Sequence, residues 1–334
     1  MSTRAWLQFF RLHTASAEIG GFGIAAYLAG VRSFALIPIF LFAVLVHAAG
    51  FGENSLVDWV KGYDRVDPSK AHHPLNMGTI KTAMAKDAII TLHAAGIALF
   101  ALLVITYRAG ANDAHLAIAI PSFALAIILG NIYNFYGKVN KPLAPVEISL
   151  TFSLFTVAVY YGLGGNGGTV PDLLFLYAFF YVFFQIAQMG EAKELGQMNE
   201  RNLLRRMGSY VDGDGIYHFS RANNVFMWSL AAVKGAILIS LALIVEGTDL
   251  AGALTILLIF AVLVSYGLLF MRVRTRSRAL RIMGAGEALS YVILVPSIIA
   301  VQQWSYVLLF VLLPMLYFVG VNRVTWGTLI APQV

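Results

Sequence analysis

The chain has 334 residues, 59% of them hydrophobic and only 12% charged, with a net charge of +6 and no cysteine. This balance excludes a soluble globular domain, a disulfide framework and a thiolate metal site, and it describes an integral membrane protein. The surplus Lys and Arg residues lie between apolar runs, which fits an orientation signal in the membrane better than nucleic-acid binding.

Met1 to Phe10 has no short apolar core followed by a small-residue cleavage site, so no removable signal peptide is expected. Several apolar windows then reach the ~20 residues that a helix needs to cross a hydrocarbon core. Spans are predicted at 16–31, 34–52, 84–106, 114–134, 147–164, 170–188, 223–245, 250–271, 284–302 and 305–321. Long apolar windows, rather than alternating ones, point to helices and not to a barrel. The expected fold is all-α: a polytopic bundle of nine or ten transmembrane helices around a central cavity, with 1–334 forming a single domain. Nine is the count if the last two spans form one kinked element.

Arg4 and Arg11, the 53–83 loop, Lys138 and Lys141, the 189–222 loop, and the run from Arg272 to Arg281 fall on alternate connections. The positive-inside rule places these connections, and the N-terminus, in the cytoplasm of a multi-pass cell-membrane protein. Only the loops at 53–83 and 189–222 exceed about twenty residues, so they are the candidates for chemistry.

In the first loop, a helix continuing past the membrane edge puts Asn54 and Asp58 four residues apart on one face. Gly62 permits a break that returns Asp64 toward the same point. Mg²⁺ takes one or two carboxylates plus substrate phosphate oxygens, a requirement that Asn54, Asp58 and Asp64 meet. Lys61, Arg65, Lys70 and His73 are placed to contact diphosphate oxygens. The plain alternative is a solvated loop with surface ion pairs worth about 0–1 kcal/mol each.

The order of these residues resembles the first aspartate-rich motif of the UbiA superfamily of intramembrane prenyltransferases, an Asn-Asp-x-x-Asp-x-x-x-Asp run followed by basic residues and Arg-Pro. Asn54 and Asp58 match its first Asn and middle Asp. Ser55 replaces the second acid, Asp64 comes two residues later than the common spacing, and His73-Pro74-Leu75 stands where Arg-Pro-Leu is common. Phe10-Arg11-Leu12-His13-Thr14 resembles the family's Arg-x-x-x-Thr entry to the first span. Tyr133, Tyr136, Lys138 and Glu147 resemble the turn between its fourth and fifth spans.

The second loop resembles the family's Lys-Asp-x-x-Asp motif through Glu191, Lys193 and Glu194, with Gln197 at a usual acid position. Glu191 and Glu194 stand one turn apart and would hold a second Mg²⁺. The bland reading is a capped helix whose charges pair in solvent. Asp212 and Asp214, spaced by Gly213 and Gly215, read as a turn more than as ligands.

The resemblance implies Mg²⁺-dependent transfer of a prenyl group from a prenyl diphosphate to a lipophilic or aromatic acceptor. It implies a metal set of Asn54, Asp58, Asp64, Glu191 and Glu194, with Asp58, Asp64 and Lys193 central to catalysis. Arg11, Lys61, Lys70, His73, Tyr136 and Lys138 would bind diphosphate. The alternatives are a membrane terpene cyclase of the same superfamily and a non-enzymatic lipid transporter.

Within the spans, Lys234 and Glu287 carry an insertion cost of roughly 2.5–3.5 kcal/mol each and need a reason: mutual pairing, a cavity lining or snorkelling. His47 and His93 read as hydrogen-bonded interior histidines, since no second His follows at ligand spacing.

Overall fold

The computed structural model describes residues 2–66, 70–107, 112–137, 143–196, 202–247, 249–271 and 275–329. Each of the ten predicted segments coincides with a helix. A short α1 (Thr3–Phe9) and a 3₁₀ turn (Leu12–Ala15) lead into α2 (Ser16–Leu28). At 13 residues α2 rises only ~20 Å, short of the bilayer core, and its Ile19–Tyr27 stretch is buried throughout.

The longer helices are α3 (Ile37–Val60), α5 (Thr82–Tyr107), α6 (Asp113–Tyr136), α7 (Ala144–Gly162), α8 (Thr169–Phe184), α11 (Arg221–Val245), α12 (Leu250–Met271), α13 (Arg276–Ile298) and α14 (Trp304–Trp326). Eight elements among the described residues are long and apolar enough to cross a membrane. α13 and α14 are separate helices joined by a 3₁₀ turn at Val301–Gln303, which removes the one-kinked-element alternative.

Local chemistry sets the ends. Pro38 opens α3, where its missing N–H costs nothing. Asn112 and His115 form a reciprocal capping box at α6, and the Ser220 side chain accepts from Asn223 N at the start of α11. Between the spans lie α4 (Tyr63–Val66), α9 (Glu191–Glu194), α10 (Leu203–Arg206) and a hairpin of β1 (Tyr210–Val211) and β2 (Tyr217–His218), with Tyr210 opposite His218.

The helices group into two compact units. One comprises Met1–Lys138, Leu154–Gly167 and Leu312–Val334. In it α3 packs against α2, α5 and α6. Its core is a phenylalanine cluster drawn from five helices: Phe22, Phe42, Phe100, Phe123 and Phe155, with Phe100 stacked on Phe123 at 4.1 Å. Such offset and edge contacts suit the aromatic quadrupole.

The second unit comprises Val139–Ser153 and Gly168–Val311, where α11 packs on α8, α12 and α13. Here α8 runs through a π-turn at Gln185–Gly190 into α9. Lys234 and Glu287 resolve their own cost by pairing. Lys234 Nζ lies 2.6 Å from Glu287 Oε1, with both side chains at most 4% exposed. The ammonium also lies 4.8 Å from the Phe184 ring and 5.3 Å from that of Tyr181.

Breaking this pair leaves a lone buried charge, whereas replacing both partners with apolar residues removes the burden. Lys234→Met and Glu287→Met are each expected to lower unfolding stability by about 3–5 kcal/mol, and the double variant to recover most of that loss. Thermal unfolding of the purified variants in detergent measures the cycle.

Candidate active site

The first unit's charged mouth begins at Arg11. This residue adopts the left-handed conformation (φ 48°, ψ 40°), which is costly for a side chain bearing a Cβ. Three bonds hold its carbonyl there: from Thr14 N at 2.9 Å, Thr14 Oγ1 at 2.8 Å and His47 Nε2 at 3.2 Å. The other ring nitrogen lies 2.8 Å from Glu18 Oε1. His47 is therefore the hydrogen-bonded interior histidine expected, and it fastens the entry segment to α3.

His47 also stacks on Phe51 at 4.2 Å, and the Arg11 guanidinium lies 5.8 Å above that ring. Phe10 anchors the same segment against Gly52, where a Cβ would meet its ring at 2.8 Å. Glycine is the residue that admits this approach.

At its far end α3 carries Asn54 and Asp58 on one face, as predicted. Asp58 is 3% exposed and Asn54 half-buried. The helix stops at Gly62, whose φ of +85° turns the chain, and α4 packs back on α3. That return buries Asp64 to 2% exposure, and its Oδ2 meets no protein hydrogen-bond partner. Asn76 ties the loop by donating to the carbonyls of Asp64 and Lys70, both at 2.8 Å. His73 is buried beside Phe9, with both ring nitrogens unpartnered by protein. Burial first, and then the charge of Arg11, lowers its pKa to about 4. Where the family pattern carries an arginine, this chain holds an uncharged imidazole at neutral pH.

Other cations are placed differently. Lys61 is exposed and donates to Phe135 O at the end of α6, 5.6 Å from the Tyr136 ring. Arg65 lies over Trp59 at 3.8 Å. Tyr136 is largely exposed, Lys70 is half-buried, and Lys138 lies outside the described residues. Asn134, which the sequence did not single out, donates to Glu53 Oε2 at 2.7 Å and Gly50 O at 3.1 Å, fixing α6 to the polar end of α3.

In the second unit, Glu191 is 4% exposed. Its Oε2 accepts from Leu203 N at 2.7 Å, while its carbonyl accepts from Asn202 Nδ2 at 2.8 Å. A carboxylate at the first N–H groups of α10 is a capping arrangement. Lys193 and Glu194 are half-buried on the same turn, and Arg276 Nε donates to Lys193 O at 3.2 Å. Gln197 lies outside the described residues. Asp212 is the predicted turn residue: it accepts from Asp214 N, Ile216 N and His218, and the His218 bond holds its carboxyl below the usual range. Among the described residues no three His, Asp or Glu side chains form a preassembled metal cage.

His13, which precedes α2, has its pKa lowered to about 4, by burial first and then by His47 and Arg11. A depressed histidine favours the neutral form in the folded state, so its stabilising term is complete above the unfolded value of 6.5 and is lost as pH falls toward 4. His13→Gln is expected to reduce the loss of unfolding stability between pH 7 and pH 5 by about 1–2 kcal/mol. Chemical denaturation at the two pH values reads this difference.

No protein-family model matches the chain, and no curated protein matches it in sequence. Solved structures do match in shape. A digeranylgeranylglyceryl phosphate synthase aligns over 96% of this chain and 98% of its own at a TM-score of 0.54 and 18% identity. A UbiA homologue from Archaeoglobus fulgidus bound to GPP and Mg²⁺ aligns over 88% of this chain and 99% of its own, at 0.52 and 17%. The same homologue bound to DMAPP and Mg²⁺ aligns over 88% and 98%, at 0.50 and 18%. These alignments span nearly the whole of both chains, and this polytopic all-α protein has the fold of the UbiA homologues.

Proposed function

We propose that the chain is an enzyme that transfers a prenyl group from a prenyl diphosphate to a lipophilic or aromatic acceptor within the membrane. One observation carries this reading. The polar end of α3 folds back so that two carboxylates, Asp58 and Asp64, are buried in the unit that also holds Arg11, Lys70 and His73. Asp64 Oδ2 and both His73 nitrogens there have no protein partner. A surface loop of ordinary ion pairs would leave such groups in water. Buried, they call for a cation and an oxyanion.

The fold supports the same chemistry, since the structural neighbours include a homologue bound to prenyl diphosphates with Mg²⁺. Asn54, Asp58 and Asp64 are the residues that would hold a Mg²⁺ ion, whose oxygen-ligand preference they meet. Bound there, the ion supplies charge neutralisation to the departing diphosphate. Arg11 and Lys70 add positive potential toward the same oxygens, and His73 donates a hydrogen bond without a fixed charge. In the second unit, Glu191 orders the start of α10. Apolar helix faces exclude water, which would otherwise quench an allylic cation. The enzyme is placed in the cell membrane with its charged loops on the cytoplasmic side.

Purified protein given Mg²⁺, labelled geranylgeranyl diphosphate and a membrane lipid extract is expected to release diphosphate and yield a prenylated lipid. Asp58→Ala and Asp64→Ala are each expected to slow release by about 100-fold or more. Full activity in either variant, or activity unchanged by a chelator, overturns the assignment. Release accompanied by a cyclic hydrocarbon and no transfer would make the protein a cyclase.

A further inference from the structure

The inner end of α14 presents polar groups that the diphosphate chemistry does not use. Phe318, Asn322 and Trp326 follow at four-residue spacing on one helix face. The His13 ring lies 6.3 Å from Phe318 and 6.4 Å from Trp326, so Asn322, between them, faces the same segment. Asn322 and Thr325 have no exposed surface. The helix end is held firmly, since Arg4 Nε donates to Thr325 O at 2.7 Å and Gln8 Nε2 at 3.3 Å.

Within this region Asn322 Nδ2 and Oδ1, Thr325 Oγ1, Trp326 Nε1, His13 Nδ1 and Glu18 Oε2 meet no protein partner. Folded proteins avoid even single buried polar atoms left unsatisfied, and here six come from three neighbouring segments. We propose that His13, Glu18, Asn322, Thr325 and Trp326 bind the hydroxyl-bearing head group of the molecule that receives the prenyl group. The binding stands on these residues; the acceptor role rests on the prenyl-transfer reading.

The donor and acceptor inventory selects the chemistry. Trp326 Nε1 only donates, the Glu18 carboxyl oxygen accepts, Asn322 does one of each, and Thr325 does both. Hydroxyl groups, which also donate and accept, satisfy this mixture. A carboxylate or phosphate would face the Glu18 carboxylate, and a hydrocarbon would satisfy nothing. Burial keeps His13 uncharged at neutral pH, so it adds no anion-attracting charge. The site also adjoins the proposed diphosphate-binding loop, because the Trp326 ring packs edge-on against His72 at 5.4 Å.

The test uses the full chain in detergent without prenyl diphosphate or Mg²⁺, titrated separately with 1-O-hexadecylglycerol and a long-chain hydroquinone. Melting temperature and tryptophan fluorescence report binding. Saturable stabilisation by one probe identifies a glyceryl or a phenolic head. Asn322→Leu and Thr325→Val, which delete unpartnered polar atoms, are expected to melt no lower than wild type yet bind that probe about tenfold more weakly. Should Asn322→Leu not fold, Thr325→Val carries the comparison.

The proposal is overturned if neither probe binds, or if the variants bind as wild type does. Lower melting temperatures with unchanged binding would assign these groups to a structural, water-filled network and overturn it equally. In a preparation that turns over with lipid extract, a bound probe that is not prenylated when geranylgeranyl diphosphate and Mg²⁺ are added overturns the acceptor role. Because binding is measured without diphosphate, its failure is separable from failure of the release assay.

Discussion

A polar group taken out of water must find a partner, and in a chain this apolar the rule governs nearly every side chain that matters. Lys234 and Glu287 meet it by pairing at 2.6 Å inside the second unit. Glu18 Oε1, His47, Thr14 and the Arg11 carbonyl meet it as a chain of hydrogen bonds. Asp64 Oδ2, both His73 ring nitrogens and the Asn322 amide meet no protein partner. The first two sets are structure; the third is where ligands are inferred.

The same rule explains why the entry segment is strained. A left-handed Arg11 would relax unless its carbonyl were held, and the hold comes from His47 on α3 and from the hydroxyl of Thr14. The kink separates α1 from α2 and leaves Arg11 beside the Phe51 ring. Backbone strain is thereby exchanged for a fixed cation near the buried loop, where its charge lowers the pKa of His73. Asn134 performs a parallel service by locking Glu53, so that this acid belongs to the scaffold.

Several of the acids and cations that stand out in sequence turn out to serve the fold. Glu191 caps α10, Asp212 closes a hairpin turn, Lys61 holds the end of α6 and Arg65 covers Trp59. Glu191, Asp212 and Lys61 are charged groups at a helix end or turn, where backbone N–H and C=O groups are unsatisfied and compete for them. Composition cannot separate that demand from ligand binding, because both select the same residue types.

The sequence by itself determined the class of protein, the ten helical segments and the two charged connections, since hydropathy and helical spacing are local properties of the chain. It also determined that Asn54 and Asp58 share a face and that Gly62 turns the chain. Tertiary structure decided which charges are buried and which are spent on helix ends. It decided that Lys234 answers Glu287 across 53 residues of sequence and that His47 answers Arg11 across 36. It alone brought Asn322 and Trp326 to His13, some three hundred residues earlier in the chain. Partnering of buried polar groups is a long-range property: the helix spacing that places one partner carries no information about the distant segment that supplies the other.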